Sequence, residues 1–441
     1  MCKQSLIALF FILTVGINIA GDDPVFFDTR DHGDPGNKAP IVEPWKTVQL
    51  DTAYGGYWVI TGDVDGDRIA DIVSAENVDK NDVHYTSAVV AQRLDGSVIW
   101  TWGNPGIGRK KRHHDVACQV YDWDGDGNNE VILCTKGYLV EINGKTGKEK
   151  RRFSIDDEAT DCLAFANFSA NKRATDVLVK TRYSDIWAYN IDGELLWHVK
   201  NPGGYRTAHQ ARPIDINNDG TDEVFAGYAM LNADGSVRWI YNTKKVKQEK
   251  GHLDCYRILK SGNTPDEYRL ALTCCGAKNI ACIDGYGKTI WEIPGSHFES
   301  IQTGYIFPGM AEPCLIVDID HVPRGESPLW VLGRDGKLLG RITADYCRQH
   351  GLIDWTGDGY DEILLAHAHG IFDFNGKRIF TLKTDKKPGH SILFGDMTGD
   401  GISDITIVTI EPGRVHIFKN EHGKKVGKNV PLGCGVNFTY Y

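Results

Sequence analysis

Apolar residues along this chain fall in short runs broken by turn-forming residues, and stretches with the spacing of an amphipathic helix are hard to find. One unit recurs: an apolar strand, a tight Asp-Gly or Asn-Gly turn, then a strand that ends on an aromatic residue. Its clearest instances are Leu94-Asp95-Gly96-Ser97-Val98-Ile99-Trp100, Ile191-Asp192-Gly193-Glu194-Leu195-Leu196-Trp197 and Ala233-Asp234-Gly235-Ser236-Val237-Arg238-Trp239. Tyr286-Gly287-Lys288-Thr289-Ile290-Trp291 follows the same plan. Later copies at Arg334-Asp335-Gly336 and Phe374-Asn375-Gly376 keep the turn and lose or exchange the tryptophan. Large aromatics at a fixed place in each repeat are expected to pack between repeats.

A second pattern runs in phase with the first. Tyr121-Asp122-Trp123-Asp124-Gly125-Asp126-Gly127-Asn128-Asn129-Glu130 leads into the apolar Val131-Ile132-Leu133. Side-chain oxygens at Asp122, Asp124, Asp126 and Glu130 have the alternation that points several hard ligands at one cation, with calcium the natural guest. Equivalent sets are Asp63, Asp65, Asp67 and Asp71; Asp215, Asn217, Asp219 and Glu223; Asp354, Asp358 and Glu362; and Asp396, Asp400 and Asp404. The corresponding positions at Asn167, Lys260 and Tyr305 have poor ligand sets, so no calcium is assigned there.

Measured on these loops, units begin near Asp63, Asp122, Asn167, Asp215, Lys260, Tyr305, Asp354 and Asp396, at intervals of roughly 42 to 59 residues. That spacing predicts four-stranded blades and an all-β fold, an eight-bladed β-propeller, with seven blades the alternative if the first or sixth unit is misread. Calcium is predicted as a structural ion at several sites.

Composition agrees with such a fold. Of 441 residues, 49 are glycine and only 4 methionine, with 16 Phe, 18 Tyr and 11 Trp to fill inter-strand space. A formal charge of −10 argues against nucleic acid as a partner, because phosphate binding needs clustered Lys and Arg. Lys3, an apolar run over 6–19 and Ala20-Gly21 have the layout of a signal peptide, too short for a comfortable membrane span. The expected organisation is a signal peptide at 1–20, a leader at 21–55 packing on the propeller, and one propeller domain at 56–441. A secreted or periplasmic monomer without stable membrane insertion is expected. Ten cysteines remain after Cys2 is removed, consistent with disulfides in an exported protein; Cys118 with Cys134 is one plausible pair, and Cys274, Cys275 and Cys282 lie near one another in sequence.

The candidate chemistry lies one strand upstream of each loop, where the inner strand of a blade starts at the mouth of the central funnel. Six of eight units carry histidine there: Arg112-His113-His114-Asp115, Arg206-Thr207-Ala208-His209, Lys250-Gly251-His252-Leu253-Asp254, Ser296-His297-Phe298-Glu299, Arg348-Gln349-His350 and Lys386-Lys387-Pro388-Gly389-His390. Imidazoles that titrate near neutral pH, interleaved with Arg and Lys, suit an anionic sugar. In eliminative cleavage of a uronate, a cation neutralises the carboxylate, a base takes the C5 proton and an acid protonates the leaving oxygen. His114, His209, His252, Arg112 and Arg206 are the catalytic candidates; His113, Lys250, His297, His350, His390 and Arg348 are the substrate-binding ones. Zinc or copper held by three convergent histidines is another use of such a ring, although no local ligand spacing points to it. Paired carboxylates of the glycosidase kind have no obvious partners among Asp115, Asp254 and Glu299.

The five acidic loops resemble the calcium-binding FG-GAP repeats of integrin-type propellers and related bacterial secreted proteins. Eight such units after a signal peptide resemble the propeller of the rhamnogalacturonan lyases of polysaccharide lyase family 11, over roughly residue 57 to the C-terminus. That resemblance implies a lyase acting on an acidic, rhamnogalacturonan-like polysaccharide, with a non-catalytic calcium-stabilised propeller that binds glycan or protein as the competing reading. Quinone-dependent dehydrogenases, also eight-bladed, resemble this chain in the vicinal pair Cys274-Cys275, but acidic calcium loops are foreign to them.

Overall fold

The Asp-Gly turns and alternating runs fold into eight antiparallel blades. In seven of them four strands follow one another in chain order from the inside of a ring to its rim, and in the eighth the rim strand comes from earlier in the chain. This computed structural model describes residues 25–28, 39–56, 58–80, 83–108, 118–241, 251–320, 327–344, 348–385, 390–409, 413–425 and 432–434. The expected signal peptide at 1–20 lies outside them. The inner strands of blades 1 to 8 are Trp58–Gly62, Cys118–Tyr121, Asp161–Ala166, Thr207–Ile214, Tyr256–Lys260, His297–Gly304, His350–Ile353 and His390–Asp396.

Eight separate hydrophobic clusters account for the stability of the ring, one in each gap between neighbouring blades. Val131 and Leu133 pack with Ile60 and Val73 between blades 1 and 2. Ile132 and Leu139, on the opposite face of the same strands, pack with Val177 and Trp187 of blade 3. The last gap, between blades 8 and 1, is filled by Val48, Ile72, Val408 and Ile417. Because both faces of the blade are covered, the second strand of blade 2, Glu130–Thr135, is buried at nearly every position rather than alternately, whereas the rim strand Glu149–Ser154 alternates. Eight filled gaps leave no room for the seven-bladed alternative.

The ring is closed by the leader. Lys46–Gln49 pairs antiparallel with Arg414–Phe418 and becomes the rim strand of blade 8. Before that, Val25–Asp28 and Ile41–Val42 pair in parallel with the rim strands of blades 6 and 7. Gly433–Cys434 adds to the inner strand of blade 8, and Gly433 lies against Thr61 and Gly62 of blade 1, so the seam is fastened inside and outside.

The recurring tryptophans latch blade to blade. Nε1 of Trp197 donates to Ala233 O at 2.8 Å, Trp239 to Gly285 O at 2.9 Å, and Trp291 to Arg334 O at 2.7 Å, each in the following blade. A glycine of that blade's Asp-Gly or Tyr-Gly turn lies over each ring: Gly235, Gly287 and Gly336, with φ near +80° and no space for a Cβ. The aromatics therefore serve the packing role read from sequence.

The cysteine pairings do not form. Cys118 pairs in register with Leu133, one residue from Cys134, so the two-residue period of a strand sends the thiols to opposite faces of blade 2. Cys118 lies in the gap with blade 1 and Cys134 in the gap with blade 3. Cys274 and Cys282 are split in the same way between the two faces of blade 5, and Cys275 is unbridged as well.

Candidate functional site

The inner strands run from one face of the ring to the other, so the acidic loops and the histidines occupy opposite faces. On the loop face the carboxylates organise their own turns. In blade 2, Asp122 accepts from Gly125 N at 2.9 Å, Asp126 from Asn128 N at 2.8 Å, and buried Glu130 from Trp123 N at 3.0 Å. The other four loops repeat the scheme, as with Asp71 and Val64 N, Glu223 and Ile216 N, Glu362 and Trp355 N, and Asp404 and Met397 N.

Whether the residues fit calcium differs between loops. Asp63, Asp65 and Asp71 bring ligand oxygens within 4.8 Å of one another, and burial together with Asp65, Asp67 and Asp63 pushes the Asp71 carboxyl up to about 7. Arg93 pairs with Asp65 at 2.7 Å there, but three carboxylates face one another, and Asp63, Asp65 and Asp71 would hold a divalent cation. Asp122, Asp124 and Glu130 are equally close, but Lys150 Nζ lies 2.6 Å from Asp124 and 2.9 Å from Glu130. Arg173 of blade 3 also reaches Asp122, at 3.3 Å. Arg238 on Glu223 and Lys419 on Asp400 bring internal cations to the loops of blades 4 and 8.

On the funnel face, the start of each inner strand comes together with the turn between the second and third strands. Tyr183, in such a turn of blade 3, is central. Its ring lies 4.9 Å from the Arg182 guanidinium and 5.0 Å from that of Arg206, with His209 and His252 rings at 5.2 and 5.0 Å. His252 Nε2 is 3.3 Å from Asp254 Oδ1 and 3.2 Å from Cys275 Sγ; Cys275 begins the corresponding turn of blade 5. Further round, His297 pairs with Glu299 at 3.0 Å, and Arg348 bridges Glu299 and Asp320. Burial raises the Glu299 carboxyl well above the usual carboxylate range and Asp254 adds to the effect, while Arg348 opposes it. Burial also holds the His252 imidazole below its usual range.

Blade 1 reaches over the same face. Its strands Asp71–Lys80 and Val83–Gln92 have ten residues each, against five in the inner strand Trp58–Gly62. The overhang brings His84 Nδ1 to 3.1 Å from Asp161 Oδ2, at the start of the inner strand of blade 3, with both side chains buried.

Of the residues predicted for this face, His209, His252 and Arg206 gather around Tyr183, and His297 joins Asp254 and Cys275. His209 is only 1% exposed and stands behind His252, which keeps 22%. His350 is buried at the start of its strand. His390 begins the inner strand of blade 8. Arg112, His113, His114 and Lys250 lie outside the described residues. The sequence reading missed Arg182, Tyr183, Cys275 and Asp320 because it followed only the residues preceding inner strands. The second turn of each blade opens on the same face, and Lys180-Thr181-Arg182-Tyr183-Ser184 is marked by its cluster of cations and an aromatic between two strands.

In sequence the chain matches no family model and no curated protein. In structure it is similar to the rhamnogalacturonan lyase YesW, with a TM-score of 0.58 at 17% identity over 86% of this chain and 77% of that one. The Bacillus licheniformis rhamnogalacturonan lyase of family 11 gives 0.59 at 18% identity over the same shares. The V. cholerae biofilm matrix protein Bap1 gives 0.55 at 13% identity over 94% of both chains. Among the described residues no helix is long and apolar enough to cross a membrane. The chain is thus an eight-bladed β-propeller of an architecture found in rhamnogalacturonan lyases and in a biofilm matrix protein alike.

Proposed function

We propose that the protein is an exported lyase that cleaves a uronate-containing, rhamnogalacturonan-like polysaccharide by β-elimination. The observation that carries this reading is Tyr183, whose ring lies 4.9 and 5.0 Å from the guanidiniums of Arg182 and Arg206 on the funnel face. Two guanidiniums can neutralise a uronate carboxylate and so make the C5 proton acidic. As a phenolate, stabilised by the same guanidiniums, Tyr183 can accept that proton to become the phenol and then pass it to the departing oxygen, one residue serving as base and then acid. Electron pairs move from the C5–H bond into a new C4–C5 double bond as the C4–O bond breaks, so no external reagent is required.

This assignment moves proton transfer from the histidines to Tyr183. His209 is buried, and His252 is engaged by Asp254 and Cys275, so both position the tyrosine ring instead. His297 and Arg348 extend the wall along which neighbouring sugars would lie. Calcium in the acidic loops would stabilise the far face, with Asp63, Asp65 and Asp71 the best-suited ligands.

A second reading, a non-catalytic propeller that binds glycan or protein, draws support from the likeness to Bap1 over 94% of both chains. Incubation with rhamnogalacturonan, pectin and ulvan, followed by ultraviolet absorbance of the unsaturated uronate product, separates the two. A rise that disappears in Y183F supports the lyase. Glycan binding without any rise supports the binding module.

A further inference from the structure

Five donor side chains meet where blades 4, 5 and 6 open onto the funnel, and their chemistry differs from that of the acidic loops. Ligand atoms of His209, His252 and Asp254 lie within 4.8 Å of one another, and so do those of Asp254, Cys275 and His297. The two groups share Asp254 and are joined by His252, whose Nε2 stands 3.3 Å from Asp254 Oδ1 and 3.2 Å from Cys275 Sγ. Tetrahedral zinc, with bonds of about 2.0 to 2.3 Å, sets ligand–ligand edges of about 3.3 to 3.8 Å. The edges from His252 are therefore already close to those of a zinc site.

A second observation points the same way. Asp254 is 2% exposed, and its Oδ2 has no hydrogen-bond partner among the described residues. A buried carboxylate oxygen left unpaired is costly, and a bound cation removes that cost. The donor set selects the cation: calcium takes oxygen ligands, whereas imidazole, thiolate and carboxylate together suit zinc.

We propose that His252, Asp254 and Cys275 bind a zinc ion, with His297 as the fourth ligand and His209 bracing Asp254 from behind. On binding, the Cys275 S–H bond breaks, its electron pair forms the S–Zn bond and one proton passes to solvent. The ion would tie blades 5 and 6 together at the funnel and fix His252 against the Tyr183 ring. Its value for glycan cleavage rests on the lyase reading; zinc binding itself does not.

The test uses the full chain, saturated with calcium, stripped by a zinc-selective chelator and reloaded with zinc or cobalt(II). The expected result is one zinc per chain and a cobalt form with thiolate-to-metal charge-transfer absorption. C275A should lose that absorption, whereas H209A should retain it and bind roughly ten- to a hundred-fold more weakly. A folded wild-type protein that takes up no stoichiometric zinc, or a cobalt spectrum without the thiolate band, overturns the proposal. If C275A does not fold, the wild-type cobalt spectrum decides alone. Stoichiometric zinc with no glycan cleavage leaves the metal site standing and removes the lyase reading; cleavage by a protein that binds no zinc does the reverse.

Discussion

Lys150 on the rim strand of blade 2 holds its ammonium 2.9 Å from Glu130 Oε1, in the loop whose sequence is the fullest match to a calcium site. The same nitrogen is 2.6 Å from Asp124 and 3.7 Å from Asp126, so three of the four predicted ligands share an internal cation. Blade 1 differs in that its cation, Arg93, pairs with Asp65 at 2.7 Å, while burial and the neighbouring carboxylates push the buried Asp71 carboxyl up to about 7.

This contrast predicts that calcium stabilises blade 1 more than blade 2. K150M should cost about 1 to 3 kcal/mol without calcium, because it strips a buried carboxylate of its partner. Added calcium should recover most of that loss. Melting curves of wild type and K150M with and without a calcium chelator check this; equal calcium responses would contradict it.

The tryptophan latches make a separable prediction. G235A places a Cβ about 2.8 Å from the Trp197 ring at a backbone with φ near +81°, and should cost roughly 2 to 4 kcal/mol from strain and overpacking together. G96A has similar φ but nothing within 4 Å of the new Cβ, so only strain remains, about 1 to 2 kcal/mol. Denaturant unfolding of both variants measures the difference.

How much of this was legible in the sequence follows the physics of each feature. The blades were legible because Asp-Gly turns and acidic loops are local and repeat in phase; Asp63 and Asp122 alone fix one interval of the ring. Closure by Lys46–Gln49 was not legible, since this segment is a short strand without a turn to set its partner. At the site, His209 and His252 were found because they lie at or just before the start of inner strands. Tyr183 and Cys275 were not, because turns in different blades converge only in three dimensions. The disulfides failed for a local reason: a one-residue offset between Cys118 and Leu133's neighbour Cys134 reverses the face.

Burial gives the cysteines a pH signature. It pushes the Cys118 thiol up to about 12 and Cys282 to about 11, above the ordinary 9.0. The unfolded chain therefore loses these protons first, so their contribution to stability is complete below pH 9 and declines as pH rises toward 11 to 12. Native protein should resist thiol alkylation at pH 8 and become reactive on unfolding in denaturant. Rapid native labelling of Cys118, read by mass spectrometry, would contradict the buried placement.

The overhanging hairpin of blade 1 should depend on His84. H84A leaves the buried Asp161 without this partner and should cost about 1 to 3 kcal/mol, while the Tyr183 site in blades 3 to 5 keeps its contacts. Hydrogen exchange should report faster opening of residues 76–80 and 83–88, and unchanged protection there would count against this role of His84.

The most direct test of the account is ultraviolet product formation from rhamnogalacturonan by wild type, Y183F and R206A, with folding checked by melting temperature. The account predicts a steady rise for wild type and a fall of roughly a hundred- to ten-thousand-fold in Y183F, with R206A also impaired and both variants folded. A flat wild-type trace on rhamnogalacturonan, pectin and ulvan alike, or full activity in folded Y183F, would contradict it.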